Sequence, residues 1–257
     1  MFLLKLSQLI LEKYQFYLIP DISQKLIFRY DVTSDSFISK KKNNIIDTIK
    51  IETSEYSTDL CILGKKFFTD KSPYNTKGHR HPYTPIYDLL FSSFKNDKFN
   101  FLEIGILNNS SIKMFRRYFK NANLYGFEFN KKFINNALDD KLKKTTYKHI
   151  NVKDEKSIKK TFNETNKFFK IIIDDSTHEF EDQLRIIDTS KKYLEPGGIL
   201  VVEDIFHNPN YLEKKYFKKL RKYKRYFEKI YFIECNHFNK YSPGWNNDKL
   251  LILKNKN

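Results

Sequence analysis

The stretch Ile171-Ile172-Ile173-Asp174-Asp175-Ser176-Thr177-His178 is an apolar run that breaks off into two carboxylates and an imidazole. Consecutive branched apolar side chains predict a strand buried on both faces, the situation of a parallel sheet covered by helices. Gly197-Gly198-Ile199-Leu200-Val201-Val202-Glu203-Asp204 repeats the same grammar. In an open parallel sheet the carboxyl ends of the strands face the ligand crevice. Two such strands therefore aim up to four carboxylates and His178 at one place, the outline of a metal-ion and general-base site.

From about residue 85 onward, apolar residues alternate between helical and strand spacing, the sign of βαβ units and a parallel sheet. Helices are predicted at 86–94, 110–119, 131–138, 157–166, 180–193 and 211–229. Strands are predicted at 99–106, 124–128, 145–152, 168–174, 199–203, 230–233 and 249–253, which makes a doubly wound α/β domain with a seven-stranded, mostly parallel sheet. Pro196-Gly197-Gly198 stops the helix before the fifth strand. On the last helix Leu212, Tyr216, Leu220, Tyr223 and Phe227 share one side and cationic residues the other. Residues 1–70 read as an N-terminal appendage, a short amphipathic helix plus an irregular segment, expected to cap the sheet or make a dimer contact. Residues 71–257 form the main domain, and one substantial core suits a chain of 257 residues.

Lys+Arg 47 against Asp+Glu 31 leaves a net charge of +16. This invites a nucleic-acid or anionic-membrane partner. The lysines are scattered, however, and no nucleic-acid-binding motif accompanies them, so compositional drift in a chain rich in Lys, Asn, Ile, Phe and Tyr is the plainer reading. Cys61 and Cys235 form no C-x-x-C pair, so neither a disulfide framework nor a thiolate zinc site is indicated, and buried reduced thiols in a cytoplasmic protein are expected. The first twelve residues carry Lys5, Gln8 and Glu12 inside the apolar pattern and resemble no signal peptide. No apolar run reaches the length of a transmembrane span.

The first strand ends in Leu102-Glu103-Ile104-Gly105-Ile106-Leu107-Asn108-Asn109 and runs into a helix. An acid, a Gly permitting close backbone approach and polar residues at a helix start are how doubly wound folds hold a nucleoside-bearing cofactor. The chain has no G-x-G-x-x-G and no phosphate-cradling Gly-rich loop with Lys and Ser/Thr, which argues against NAD or a nucleoside triphosphate. Glu103 suits the cationic amino group of an amino-acid-bearing nucleoside. Glu128, 25 positions on, ends the second strand, where an acid takes ribose hydroxyls.

These motifs, taken with Thr69-Asp70-Lys71 and His81-Pro82-Tyr83-Thr84 upstream, resemble the class I S-adenosylmethionine-dependent methyltransferases. More narrowly, they are similar to the metal-dependent sugar O-methyltransferases of the macrocin and mycinamicin type and to cephalosporin-hydroxylase-like proteins. The resemblance covers about residues 67–253 and implies a Rossmann-like methyltransferase sheet, S-adenosyl-L-methionine as cofactor and Mg²⁺ or another divalent cation. It implies that Glu103 and Gly105 line the methionine part, with Asn108 in the same loop, and that Glu128 binds the ribose. It also implies that Asp175, Glu203 and Asp204 hold the cation and that His178 is the general base. Tyr83 is expected to close over the cofactor or substrate. Asp174 is grouped with the cofactor residues and is equally a candidate for capping the following helix. The family usually has Gly where Ser176 stands, and a second Gly where this chain has Asn108-Asn109.

The expected reaction is methyl transfer to a hydroxyl of a sugar or other small-molecule or glycan acceptor. A methyltransferase for RNA or another polyanion is the competing enzyme reading, and a non-catalytic cofactor-binding or assembly protein is the third. His178 with three candidate carboxylates argues against the last. His79, Arg80, His207, His237 and Trp245 carry no role that the sequence distinguishes from packing or a surface turn.

Overall fold

A computed structural model describes residues 38–41, 46–207 and 210–257. The expected N-terminal amphipathic helix, the irregular segment up to Ser36 and Leu212's side chain lie outside the described residues. The strands are β1 (Ile38–Lys41), β2 (Asp47–Glu52), β3 (Asn100–Ile104), β4 (Asn123–Glu128), β5 (Thr145–His149), β6 (Phe169–Asp174), β7 (Leu194–Val202), β8 (Phe227–Asn236) and β9 (Lys249–Asn255). The α-helices are α1 (Asp59–Phe67), α2 (Tyr83–Phe91), α3 (Ser110–Tyr118), α4 (Lys131–Asp139), α5 (Glu155–Thr165), α6 (Phe180–Ser190) and α7 (Asn210–Leu220).

The strands form one sheet in the order β1-β2-β8-β9-β7-β6-β3-β4-β5. The seven strands read from sequence are β3 to β9, and the mostly parallel Rossmann-like fold stands. The region before residue 71 lengthens the edge, since β2 pairs parallel to β8 and β1 pairs antiparallel to β2. β9 runs antiparallel to both β7 and β8. The chain steps outward from β3 to β4 and β5, then returns to the other side of β3 as β6. That reversal opens a crevice at the carboxyl ends of β3 and β6.

Both faces of the central strands are covered, which is why β6 and β7 lack polar alternation. Ile171 and Ile173 point into a core shared with Leu60, Tyr87 and Phe115 from α1, α2 and α3. Ile172 points into the opposite core with Phe162, Ile187 and Tyr216 from α5, α6 and α7. Ile49, Ile51 and Leu60 belong to the first core, so residues 46–70 pack with the strands that follow.

Three boundaries differ from the sequence expectation. The helix read as 211–229 ends at Leu220, passes through a 3₁₀ turn over Arg221–Tyr223, and Phe227 already begins β8. Tyr216, Leu220, Tyr223 and Phe227 are all buried, so their spacing carries the helical pattern beyond the helix itself. The helix read as 180–193 ends at Ser190. Pro196-Gly197-Gly198 lies inside β7, where Gly197 at φ 61 passes a register irregularity that other residues accommodate poorly. Among the described residues no helix is long and apolar enough to cross a membrane, and Cys61 and Cys235 are free and buried.

Candidate active site

β3 stops at Ile104 because Gly105 takes φ 88, and a Cβ there would lie 2.0 Å from the carbonyl oxygen of Asp175. Only a glycine lets the β3 loop approach the end of β6 this closely. The loop continues through Leu107 at φ 42 and Asn109 at φ 64. Asn109 fills the place of the absent glycine and fastens itself by donating to Asp140 Oδ2 (2.9 Å) and accepting from the Tyr147 hydroxyl (3.0 Å). Asn tolerates the left-handed region better than most residues because its short amide bonds locally.

A cavity of about 550 Å³ opens here, within the size of small-molecule sites. Gly105, Asn108, Glu128, Asp175, His178 and Asp204 all line it. Glu128 Oε2 accepts from the backbone N–H groups of Ile106 (3.0 Å) and Leu107 (3.2 Å), and Oε1 from that of Asn130 (2.8 Å). The β4 carboxylate therefore holds the β3 loop in shape and keeps lone-pair capacity for a hydroxyl donor.

Asp175 and Asp204 each have one oxygen held from behind and one turned toward His178. Asp175 Oδ2 pairs with Lys71 Nζ, while Oδ1 lies 3.9 Å from His178 Nε2. Asp204 Oδ1 accepts from the Tyr83 hydroxyl (2.6 Å), while Oδ2 lies 3.5 Å from the same nitrogen. Both His178 (φ 59) and Asp204 (φ 56) occupy the left-handed region. For non-glycine residues that conformation costs of order 1–3 kcal/mol each, and it concentrates at functional sites.

Behind this opening Glu103 and Glu203 are fully buried, and Lys71 Nζ reaches Glu203 Oε2 at 2.7 Å and Glu103 Oε1 at 3.4 Å. The Tyr87 hydroxyl donates to Glu203 Oε1 and the Ser111 hydroxyl to Glu103 Oε2 (2.7 Å). Burial alone would lower the Lys71 ammonium, but Asp175, Glu203 and Glu103 outweigh it and hold its pKa well up. One ammonium cannot balance four carboxylates. Burial, only partly offset by Lys71, pushes Glu103 up to about 7, and burial with the neighbouring Asp175 drives Glu203 well above its ordinary range. This donor set fits a divalent cation, whose charge would relieve the excess. Asp175, His178 and Asp204 offer one atom each within 4.8 Å of one another, and so do Glu103, Asp175 and Glu203.

Four residues predicted to be in contact with cofactor or cation lie behind the cavity wall. Glu103 is closed off by Lys71 and Ser111, Glu203 by Lys71 and Tyr87, and Tyr83 bonds Asp204 and the Asn247 carbonyl (3.0 Å). Asp174 is buried with Oδ1 accepting from Ser176. It does not cap α6, which begins six residues later at Phe180. Lys71 and Tyr87 received no role from sequence. Lys71 sits in a polar segment of a lysine-rich chain, where nothing marks it for burial, and Tyr87 looks like one more core aromatic.

The strand reversal, the glycine turn at the end of β3 and the cavity beside Glu128 define a doubly wound nucleotide-cofactor fold of the Rossmann-like methyltransferase type. Residues 96–255 match the family model described as a methyltransferase domain, and the chain belongs to that family. It is 26% identical over 157 residues to the mycinamicin VI 2''-O-methyltransferase of Micromonospora griseorubida, covering 58% of this chain and 36% of the relative. It is likewise 26% identical over 158 residues to the demethylmacrocin O-methyltransferase of Streptomyces fradiae, again 58% and 36%. The chain thus spans little more than a third of the length of these relatives. Among solved structures, the MycE methyltransferase of the mycinamycin pathway, in complex with Mg and SAH, shares its fold with a TM-score of 0.59 and 20% identity, over 78% of this chain and 55% of that one.

Proposed function

We propose that this protein is an S-adenosylmethionine-dependent O-methyltransferase, assisted by a divalent cation, that acts on a hydroxyl of a sugar or glycosylated small molecule. The observation that carries this reading is that one cavity is lined by Gly105 and Glu128 and also by Asp175, His178 and Asp204. Relatives named for 2''-O-methylation of mycinamicin VI and for methylation of demethylmacrocin support the acceptor class.

In this reading Gly105 and Asn108 bound the cofactor's amino-acid part and Glu128 accepts from its ribose hydroxyls. Asp175 and Asp204 hold the cation, with Glu203 supporting them from behind. Bound there, the cation would lower the cost of forming an alkoxide from a sugar hydroxyl, a very weak acid, and the sulfonium would supply the methyl group. His178 Nε2 accepts the hydroxyl proton, its two flanking carboxylates stabilising the imidazolium that results. Two buried free thiols agree with a reducing, cytoplasmic setting.

Calorimetric titration with S-adenosylmethionine, with and without Mg²⁺, tests the reading, followed by a methyl-transfer screen over glycosides. Cofactor binding together with a Mg²⁺ signal that disappears in Asp175→Ala is the expected result. Failure of the wild-type protein to bind the cofactor would overturn it.

A further inference from the structure

Trp245, the one tryptophan of the chain, is 51% exposed, and its ring meets that of Phe206 at 5.7 Å with 31° between the planes. An indole is on average well buried, so a half-exposed one paired with a second ring marks a surface kept for contact. The backbone under it is fixed. Trp245 N–H donates to the Ser242 carbonyl (3.0 Å) across Pro243 and Gly244 (φ 78), the residue order of a type II turn. A Cβ added at Gly244 would meet nothing within 4 Å, so the turn stands out from the fold and holds the ring away from the core.

This turn is tied to the active site by two routes. Residues 205–207, which follow directly on Asp204, run beside residues 246–249: Ile205 N–H donates to the Lys249 carbonyl (2.9 Å) and His207 N–H to the Asn246 carbonyl (2.7 Å). The Tyr83 hydroxyl bridges Asp204 Oδ1 (2.6 Å) and the Asn247 carbonyl (3.0 Å) across the same junction. On its other side the turn meets His79, a residue of the cavity lining, whose Nδ1 lies 3.3 Å from the Ser242 hydroxyl. Two residues of chain span at most about 7 Å, which bounds the distance from the Asp204 Cα to the Phe206 Cα. The aromatic pair therefore stands beside the cavity that Asp204 and His178 line.

We propose that Phe206 and Trp245 form the platform on which the sugar ring of the acceptor lies while its hydroxyl reaches His178. This inference rests on the sugar-acceptor reading above and adds where the ring binds. A pyranose presents a face of C–H groups that buries apolar area against an indole, while the hydroxyls at its rim stay free for polar partners. A rigid ring on a rigid turn loses little conformational freedom when it is covered. Asp175 and Asp204 lie where a phosphodiester would have to approach, and like charges there favour a neutral sugar over a stacked nucleic-acid base.

Because the chain has one indole, tryptophan fluorescence reads the platform directly. The probes are methyl α-L-rhamnopyranoside, methyl β-D-glucopyranoside and methyl β-D-galactopyranoside, with sorbitol as a polyol without a ring and uridine monophosphate as a stacking nucleotide. The expected result is a saturable blue shift with at least one glycoside and none with either control. Saturation-transfer NMR titration of that glycoside should then show binding weakened about tenfold or more in Trp245→Ala and partly restored in Trp245→Phe. Both variants should keep the wild-type circular dichroism and S-adenosylmethionine affinity. The inference is overturned by the absence of a shift with every glycoside, by glycoside affinity unchanged in Trp245→Ala, or by a response to uridine monophosphate alone. A shift produced only by raising the protein concentration also overturns it, since a second copy would then cover the ring. Glycoside binding at Trp245 in a protein that binds no S-adenosylmethionine would keep the platform and remove the methyl-transfer reading, whereas cofactor binding without any glycoside response would do the opposite.

Discussion

His81 Nδ1 lies 2.8 Å from Asp248 Oδ1, joining two points 167 residues apart in the chain. The pair fastens residues 69–83, which carry Lys71 and Tyr83, to the start of β9. Arg80 and Tyr241 exchange backbone hydrogen bonds beside it (2.8 and 2.9 Å), and the His81 ring stacks on Tyr83 at 5.1 Å. The active site is thus held from above by a strap whose tie is a buried ion pair.

That tie gives a pH dependence of known sign. Burial alone would lower the His81 pKa, but the Asp248 hydrogen bond and the charges of Asp204, Asp248 and Asp70 outweigh it and raise it. A group with a raised folded-state value stabilises fully below the ordinary imidazole value of about 6.5, and loses that contribution as pH climbs through the raised value. Melting temperature followed upward from about pH 6 should therefore fall more steeply in the wild type than in Asp248→Asn, the difference amounting to about 1–3 kcal/mol. Parallel curves for the two proteins would rule the tie out as a pH-dependent element.

Gly105 is the position least able to change. A methyl group there would meet the Asp175 carbonyl oxygen at 2.0 Å, in a backbone with φ 88. Because the obstacle is backbone at the end of β6, the clash displaces either the β3 loop or Asp175 itself. Gly105→Ala should lose at least about 2–3 kcal/mol in denaturant unfolding, together with cofactor binding. Retention of both would mean that the loop relaxes independently of β6.

The sheet was legible because Ile171–Ile173 and Ile199–Val202 are short apolar runs without alternation, rich in β-branched residues and bounded by Gly or acids, as doubly covered strands are. The convergence of His178, Asp175 and Asp204 was legible because a strand's end tells where its next residues point. What spacing does not reveal is depth. Glu103 and Glu203 read as cavity residues, yet they stand one layer inside, since a lysine 32 positions before Glu103 in the chain reaches them through a non-local contact. The helix overrun beyond Leu220 has a similar cause: Tyr223 and Phe227 are buried at helical spacing while the backbone has already turned.

Asn109 tests how the β3 loop manages without a second glycine. Asn109→Ala removes both side-chain hydrogen bonds, to Asp140 and from Tyr147, and places a Cβ without compensation at φ 64. Its expected loss is about 2–4 kcal/mol. Asn109→Gly loses the same bonds but relieves the backbone, so its loss should be about 1–2 kcal/mol. Equal losses in thermal unfolding would show that the hydrogen bonds, and not the left-handed backbone, set the cost.

His178 separates chemistry from binding. Its Nε2 faces Asp204 Oδ2 at 3.5 Å and Asp175 Oδ1 at 3.9 Å, in the cavity that Glu128 also lines. As the base proposed above, His178 would act on the acceptor hydroxyl and not on the cofactor. His178→Ala should therefore lower kcat by about 10²–10⁴ with S-adenosylmethionine affinity unchanged in calorimetry. Glu128→Ala should do the reverse, since it removes the carboxylate that shapes the β3 loop and that, in the proposed reading, accepts from the ribose. It weakens cofactor binding in the same titration, while kcat at saturating cofactor falls less than in His178→Ala. If His178→Ala weakened cofactor binding as much as Glu128→Ala, the two residues would not have separate roles, and His178 would lose its assignment as the base.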